Sequence, residues 1–232
     1  MNLSLFLDEL KKLNINPNEK QLDQLHKYFE LLVEYNKVMN LTGITEEEEV
    51  YLKHFYDSIT LVRVVDLNNV SSLCDIGTGA GFPGMVLKII FPELEVTLVD
   101  SLNKRIEFLK IVINELGLNK IEAIHARAEE YAIKNKEKFD VVTARAVAAL
   151  NILLEYSIPL VKVNGYFVAM KGKSESEDAN NALKLLSSKI EIIDNFLLPV
   201  EKSNRTLIKV KKEAKTSSKY PRKFADIKKK PL

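Results

Sequence analysis

The chain predicts an α/β protein built on a mostly parallel sheet with helices on both faces. Three observations predict it. A glycine-rich turn at residues 77–84 joins a short apolar run to an amphipathic one. A second apolar run, Val96 to Val99, ends in Asp100 about twenty residues later. From Leu73 onward, apolar strand-like runs alternate with helical periodicity through short connections, a pattern that demands a sheet covered on both sides.

Residues 1–66 read as helical. Leu22, Leu25, Phe29, Leu32 and Asn36 recur at spacings of three and four, and Pro17 marks a helix start. Thr45 ahead of Glu46, Glu47, Glu48 and Glu49 predicts an N-cap with acids in the first turn, Glu48 falling at the capping-box position. That acidic run is helix chemistry before it is a metal site. Strands are predicted near 73–76, 95–99, 121–126, 139–143 and 165–170. Helices are predicted near 82–91, 102–116, 128–136, 148–162 and 176–188. Two further strand candidates, 189–198 and 205–211, are separated by a break at Pro199 and Asn204 and read as a hairpin at a sheet edge.

The 232 residues suffice for one α/β domain with an extension and a substantial core. A lone cysteine, Cys74, sits inside the first apolar run and excludes an internal disulfide and a cysteine-rich metal site, which suits a reducing cytoplasm. No apolar run approaches the ~18 residues of a membrane span. The N-terminus lacks a basic segment before its apolar one, so no secretion signal is expected. Charge is uneven. From residue 209 onward nine lysines and one arginine face only Glu213 and Asp226, a net +8 that leaves −6 for residues 1–208 of the total +2. A basic end on a mildly acidic body suits docking on a polyanion. The alternative is a solvated, disordered tail that only keeps the protein soluble.

The segment from Leu73 to Gly84 reads as strand, tight loop and helix, with Pro83 preset near the first helical position. Glycines let the backbone take positive φ and let a ligand lie against bare main chain. Asp100 stands where a ribose hydroxyl pair is held in such folds. Gly79, Gly81 and Gly84 formally satisfy a dinucleotide fingerprint, which by itself is weak. Asp75, two residues before the first glycine, would repel a pyrophosphate and favour a cationic ligand. S-adenosylmethionine, with its sulfonium and ammonium, fits that charge better than a nicotinamide or flavin dinucleotide.

In an open parallel sheet, ligands bind beyond the carboxyl ends of the strands. Those rims carry Arg127 with Ala128, Glu129 and Glu130, then Arg145 between Ala144 and Ala146, then Lys171 and Lys173. An arginine bracketed by apolar residues needs a partner. Either a cofactor carboxylate or RNA phosphate supplies it, or Arg145 forms a structural ion pair with Asp140 or Asp75. Upstream, His54, Asp57 and Ser58 share one helical face. They form either a hydrogen-bond network docking the helical extension on the sheet or part of a substrate entrance.

Taken in order, these residues resemble a known family. Asn40-Leu41-Thr42, His54-x-x-Asp57-Ser58, Asp75-x-Gly77-x-Gly79-x-Gly81-Phe82-Pro83-Gly84, Asp100-Ser101-x-x-Lys104-Arg105, Arg127-Ala128-Glu129, Arg145-Ala146 and Lys171-Gly172 follow the pattern of the bacterial 16S rRNA guanine-N7 methyltransferases, the glucose-inhibited division protein B family. The basic tail, with Lys219-Tyr220-Pro221-Arg222-Lys223 and Pro231-Leu232, resembles the C-terminus of its longer members. The resemblance implies a Rossmann-like S-adenosylmethionine-dependent methyltransferase fold: a seven-stranded, mostly parallel sheet with a helical N-terminal extension. It divides the chain into an extension at 1–66, a core at 67–212 and a basic tail at 213–232, one structural domain overall.

It further implies methylation of a guanine in the 530 loop of 16S rRNA, conventionally position 527; the chemistry calls for no metal, and a cytoplasmic monomer is expected. Gly77 and Phe82 would contact the cofactor from the loop, with Asp75, Gly79, Gly81 and Asp100 in the same site. Ala128 and Glu129 would lie at the adenine, and Arg145 at the cofactor and substrate end as the catalytic residue. Arg127, Lys171, Arg205, His54 and Asp57 would face the RNA.

Guanine N7 has an in-plane lone pair, so no proton must leave before attack, and the transfer is an in-line displacement driven by alignment. An arginine there is no base. It grips a phosphate or the O6/N7 edge of guanine. Tyr56, Phe82 and Tyr220 are candidates for stacking on the target base, or for packing. Three other activities compete: a methyltransferase for a small molecule or protein, a non-catalytic ribosome-associated factor, and an oxidoreductase.

Overall fold

Helix α1 (Leu3–Lys12) and the longer α2 (Glu19–Met39) open the chain. Pro17 stands just outside α2; the cap is Asn18, whose side chain accepts from Gln21 N–H at 3.0 Å while Gln21 Oε1 accepts from Asn18 N–H at 2.9 Å. At the other end of α2, Asn36 turns its Oδ1 to the N–H groups of Leu41 and Thr42, at 2.6 and 2.9 Å. That cap, with Asn40 left-handed at φ 48°, sets Thr42 in place for the site described below.

The predicted cap at Thr45 does not form. Glu46 is the N-cap of the short α3 (Glu47–Val50) and makes no side-chain cap bond. Glu48 turns instead to the α-amino group of Met1, whose ammonium stands 3.5 Å from its carboxylate. The same ammonium donates to Glu48 C=O at 2.7 Å. The chain continues as a π-helical segment (Tyr51–Tyr56), α4 (Asp57–Ile59) and a 3₁₀ turn (Thr60–Arg63), so residues 13–18 and 40–46 are connections in a stretch read as wholly helical.

The computed structural model describes residues 1–145, 148–172 and 179–232. Among them seven strands form one sheet: β1 (Ser72–Ile76), β2 (Glu95–Asp100), β3 (Ile121–His125), β4 (Phe139–Arg145), β5 (Val161–Lys171), β6 (Ser188–Leu197) and β7 (Asn204–Lys212). Their order is β3-β2-β1-β4-β5-β7-β6, with β7 antiparallel to both its neighbours and the other pairings parallel. The order reverses between β1 and β4, where the connecting chain diverges to opposite faces and leaves a crevice at the strand ends.

Strand alternation distributes two apolar layers. Leu73, Leu98 and Val141 pack beneath α1, α2, α5 (Gly84–Ile90) and α6 (Asn103–Glu115). Cys74, Val99 and Val142 pack beneath α7 (Ala128–Lys134), α8 (Leu150–Ser157) and α9 (Asn180–Leu185).

Two helix boundaries shift from expectation. The helix predicted over 148–162 ends at Ser157, a turn at Ile158–Leu160 carries Pro159, and Val161 already opens β5. Ile158 to Val163 is apolar enough for either state, and pairing of Val161 with Phe139 on β4 decides it. The helix predicted over 176–188 is α9; its first residues, 176–178, lie outside the described residues, and Ser188 belongs to β6.

The basic C-terminus is packed on the body. Tyr220 and Ile227 are buried, and a last helix, α10 (Phe224–Lys229), lies on α8. Among the described residues no helix is long and apolar enough to cross a membrane.

Candidate active site

A cavity of about 710 Å³ opens at the carboxyl ends of β1, β2 and β4. Its floor is the loop after β1. Gly77 and Gly79 take φ of 68° and 62°, a region that strains any residue with a Cβ. The loop is tied to β2: Gly77 and Thr78 N–H donate to Val99 C=O at 2.8 and 3.1 Å, and Gly79 N–H donates to Asp100 Oδ2 at 2.9 Å. Asp100 is thus a loop organiser as well as a wall residue. It also accepts from Leu102 N–H at 2.9 Å and Arg105 at 3.1 Å.

Asp75 and Gly81 depart from the expected placement. Neither lines the cavity. Asp75 is fully buried behind the loop, where its Oδ2 accepts from Thr78 Oγ1 at 2.6 Å and Gly84 N–H at 2.8 Å. The first N–H of α5, that of Gly84, and the Thr78 hydroxyl capture the carboxylate before a ligand can. Burial pushes the Asp75 carboxyl up to about 6, against the lowering pull of those hydrogen bonds. Gly81, at φ 106°, is a packing glycine: a Cβ there would lie 2.5 Å from Tyr28 Oη and 2.9 Å from Leu109 Cδ2. Tyr28, fully buried on α2, donates its hydroxyl to Ala80 C=O and so locks the loop from the helical layer.

The opposite wall comes from the start of α7, with Arg127, Ala128 and Glu129, and from Tyr156 on α8. Glu129 is buried, 3.9 Å from the Arg127 guanidinium. Phe224 of α10 closes this side, a residue that sequence patterns did not single out. Its position depends on how the tail folds back, so no local pattern signals it.

At the far end, residues from three parts of the chain meet. Arg145, at the end of β4, donates to Lys53 C=O at 2.9 Å and Asp57 Oδ2 at 3.1 Å. Arg205 of β7 donates to the other oxygen of the same carboxylate at 2.8 Å. Asp57 is therefore the shared counter-ion of two guanidinium groups. The structural pairing of Arg145 with Asp140 or Asp75 does not occur; Asp140 pairs with Lys162 at 2.7 Å. The π-helical turn presents Lys53 C=O and His54 together to Arg145, a use typical of such turns.

His54 stacks on Phe82 with ring centroids 4.3 Å apart, and Arg145 lies over the same ring at 5.2 Å. An Arg145 N–H stands 3.2 Å from His54 Nδ1. A guanidinium only donates, so Nδ1 is the acceptor, and Nε2 carries the proton to Thr42 Oγ1 at 2.9 Å. Burial, reinforced by the Arg145 charge, pushes His54 down to about 3. The docking network forms, joining the helical layer to the sheet, and His54 and Asp57 of the cluster also line the cavity.

These shifts set a pH dependence. Stability drawn from neutral His54 is full above its unfolded value of 6.5 and is lost as pH falls toward about 3. Asp75 works oppositely: its contribution is full below 3.8 and is lost as pH rises through about 6. The two slopes oppose each other between about pH 4 and 6, each worth a few kcal/mol. His54→Gln removes the first, so urea denaturation of that variant shows stability gained on acidification from pH 7 to 5, where the native curve is flatter. Parallel slopes would show that His54 is not held neutral.

Lys53, Lys171 and Arg205 complete the basic rim, while Lys173, Ala146 and Val147 lie outside the described residues. Of the three aromatic candidates Phe82 lines the cavity; Tyr56 and Tyr220 are buried away from it as packing residues. No group of three or more metal-ligating side chains comes together among the described residues. Bare backbone at Gly77 and Gly79, the Asp100 and Glu129 carboxylates and a cavity of this size fit a nucleoside such as S-adenosylmethionine.

Solved structures share the fold. A SAM-dependent methyltransferase from Aquifex aeolicus superimposes with a TM-score of 0.54 at 16% identity, covering 71% of this chain and 93% of the other. A protein of Bacillus halodurans described as a putative methyltransferase gives 0.53 at 15% identity, over 68% of this chain and 99% of that one. Sequence relatives are much nearer. The ribosomal RNA small subunit methyltransferase G of Lysinibacillus sphaericus is 52% identical over 228 residues, 96% of each chain. The protein of that name from Exiguobacterium sp. is 51% identical over 238 residues and the whole of both chains. The GidB family profile, described as rRNA small subunit methyltransferase G, matches residues 21–208, and with it and these relatives the chain belongs to the GidB family of S-adenosylmethionine-dependent rRNA methyltransferases.

Proposed function

We propose that this chain transfers a methyl group from S-adenosylmethionine to N7 of a guanine in the 530 loop of 16S rRNA, the position numbered 527. The observation that carries the reading is the pair of guanidinium groups, Arg145 and Arg205, held on Asp57 at the end of a glycine-loop cavity. The cofactor supplies an activated methyl group on its sulfonium. Gly77, Gly79, Phe82, Asp100, Ala128 and Glu129 bind and orient it, while Asp75 and Gly81 act from behind by shaping the loop.

Arg145 orients the acceptor, its fork matching the O6/N7 edge of guanine or an RNA phosphate. Lys171, Arg127 and Arg205 hold the backbone, and His54 and Asp57 fix the arginines. N7 alkylation requires no base, and His54 is suited to none: its lowered basicity and two engaged nitrogens make it a positioning group. Alignment at ~3 Å contact then lowers the barrier.

The division into extension (1–66), core (67–212) and basic tail (213–232) works as one catalytic unit in this reading, acting as a cytoplasmic monomer. Small ribosomal subunits from cells lacking the protein, incubated with it and radiolabelled S-adenosylmethionine, take up label. Chemical cleavage at N7-methylguanine then gives one cut in the 530 loop. Cofactor binding without any RNA label would move the acceptor to a small molecule or protein, or make the chain a binding factor.

A further inference from the structure

The C-terminal segment is held against the body by an anchor that charge alone would not predict. Glu155 on α8 is completely buried, and Arg222 satisfies both its oxygens: backbone N–H and Nε donate to Oε1 at 2.9 and 2.8 Å, and a terminal nitrogen to Oε2 at 2.6 Å. A buried carboxylate without such a partner is strongly unfavourable, so this pairing fixes where the chain passes. Tyr220 and Ile227 are buried on either side of it, and Asn151 of α8 donates to Leu232 C=O at 3.3 Å. Between these fixed points Phe224 reaches the cavity beside Arg127, Ala128 and Tyr156. The Arg127 guanidinium stands 4.7 Å and the Lys228 ammonium 6.0 Å from its ring centroid, so two cations orient the ring.

We propose that Phe224, held in place by the segment 220–229, forms the outer wall of the cofactor site and is a cofactor-binding residue contacting the nucleoside end. This rests on the reading of the cavity as the S-adenosylmethionine site, and it places a ligand contact outside the sheet and its loops. The segment carrying much of the basic charge thus also serves the small ligand, with Arg222 holding the wall and Phe224 supplying the contact. Aromatic faces suit an adenine because stacking needs no directional polar group.

Phe224 is 39% exposed, so its removal does not open the core. Isothermal titration of the full chain with S-adenosylmethionine, and with 5′-methylthioadenosine, which keeps the nucleoside and lacks the amino acid, tests the assignment. Phe224→Ala weakens both ligands by about tenfold, the scale of one lost base–aromatic stack, and Phe224→Trp retains both. The double variant Arg222→Ala with Glu155→Gln detaches the wall without leaving a buried charge and weakens both equally. Native chain that binds neither ligand would overturn the cofactor reading and the wall with it. Native binding with Phe224→Ala unchanged would overturn the wall alone, as would a loss confined to S-adenosylmethionine.

Discussion

Arg145→Ala lowers single-turnover methyl transfer by ~10²–10³-fold, the loss seen when one well-aimed donor is removed from a reacting centre, while the protein stays folded. The fold survives because Asp57 keeps Arg205 at 2.8 Å, so the buried carboxylate is not orphaned. What is lost is geometry. Arg145 spans Lys53 C=O, Asp57 and His54 Nδ1 at once, within 2.9–3.2 Å, which a planar fork with five donors can do. Arg145→Lys keeps the charge but offers a point donor on a flexible stem, so it recovers little activity. Rate and melting temperature read together decide the matter. Unchanged turnover would remove Arg145 from the machinery, and loss of the folded state would make it a structural ion pair.

Gly81→Ala destabilises the fold by about 3–5 kcal/mol, adding backbone strain at φ 106° to overpacking in a full core. The new methyl would stand 2.5 Å from Tyr28 Oη and 2.9 Å from both Leu109 Cδ2 and Met85 Cβ, none of which has free space to retreat into. For a chain of this length the midpoint falls by roughly 10 °C. A double-mutant cycle with Tyr28→Phe isolates the clash with the hydroxyl, the shortest of the three contacts. In that background the cost of Gly81→Ala shrinks. An additive cycle would place the cost in the backbone and in the Leu109 and Met85 contacts instead.

His54, Asp57, Arg145 and Arg205 explain together what each left open singly. As a sequence cluster, His54 and Asp57 are compatible with a helix-docking network or a substrate entrance. Arg145 is compatible with a ligand contact or an ion pair. Only their meeting shows that the counter-ion is Asp57, 88 residues from Arg145 and 148 from Arg205. Nothing in a window of local sequence carries a separation of that size. Thr42 has the same history: it belongs to a short motif whose purpose is legible once its hydroxyl is found on His54 Nε2.

Elements set by local rules were legible in the chain itself. Period-two and period-3.6 apolar patterns place the strands and most helices. Positive φ at Gly77 and Gly79 favours glycine wherever the loop sits, and the parallel order puts the site at the strand ends. Tertiary structure alone decided which way each polar group faces. Asp75 turned inward onto Gly84 N–H and the Thr78 hydroxyl, Asp57 took Arg145 and Arg205, and Phe224 came to the cavity because Glu155 anchors Arg222. Backbone conformation responds to neighbours along the chain, whereas a buried charge takes whichever partner the completed packing brings within hydrogen-bonding distance.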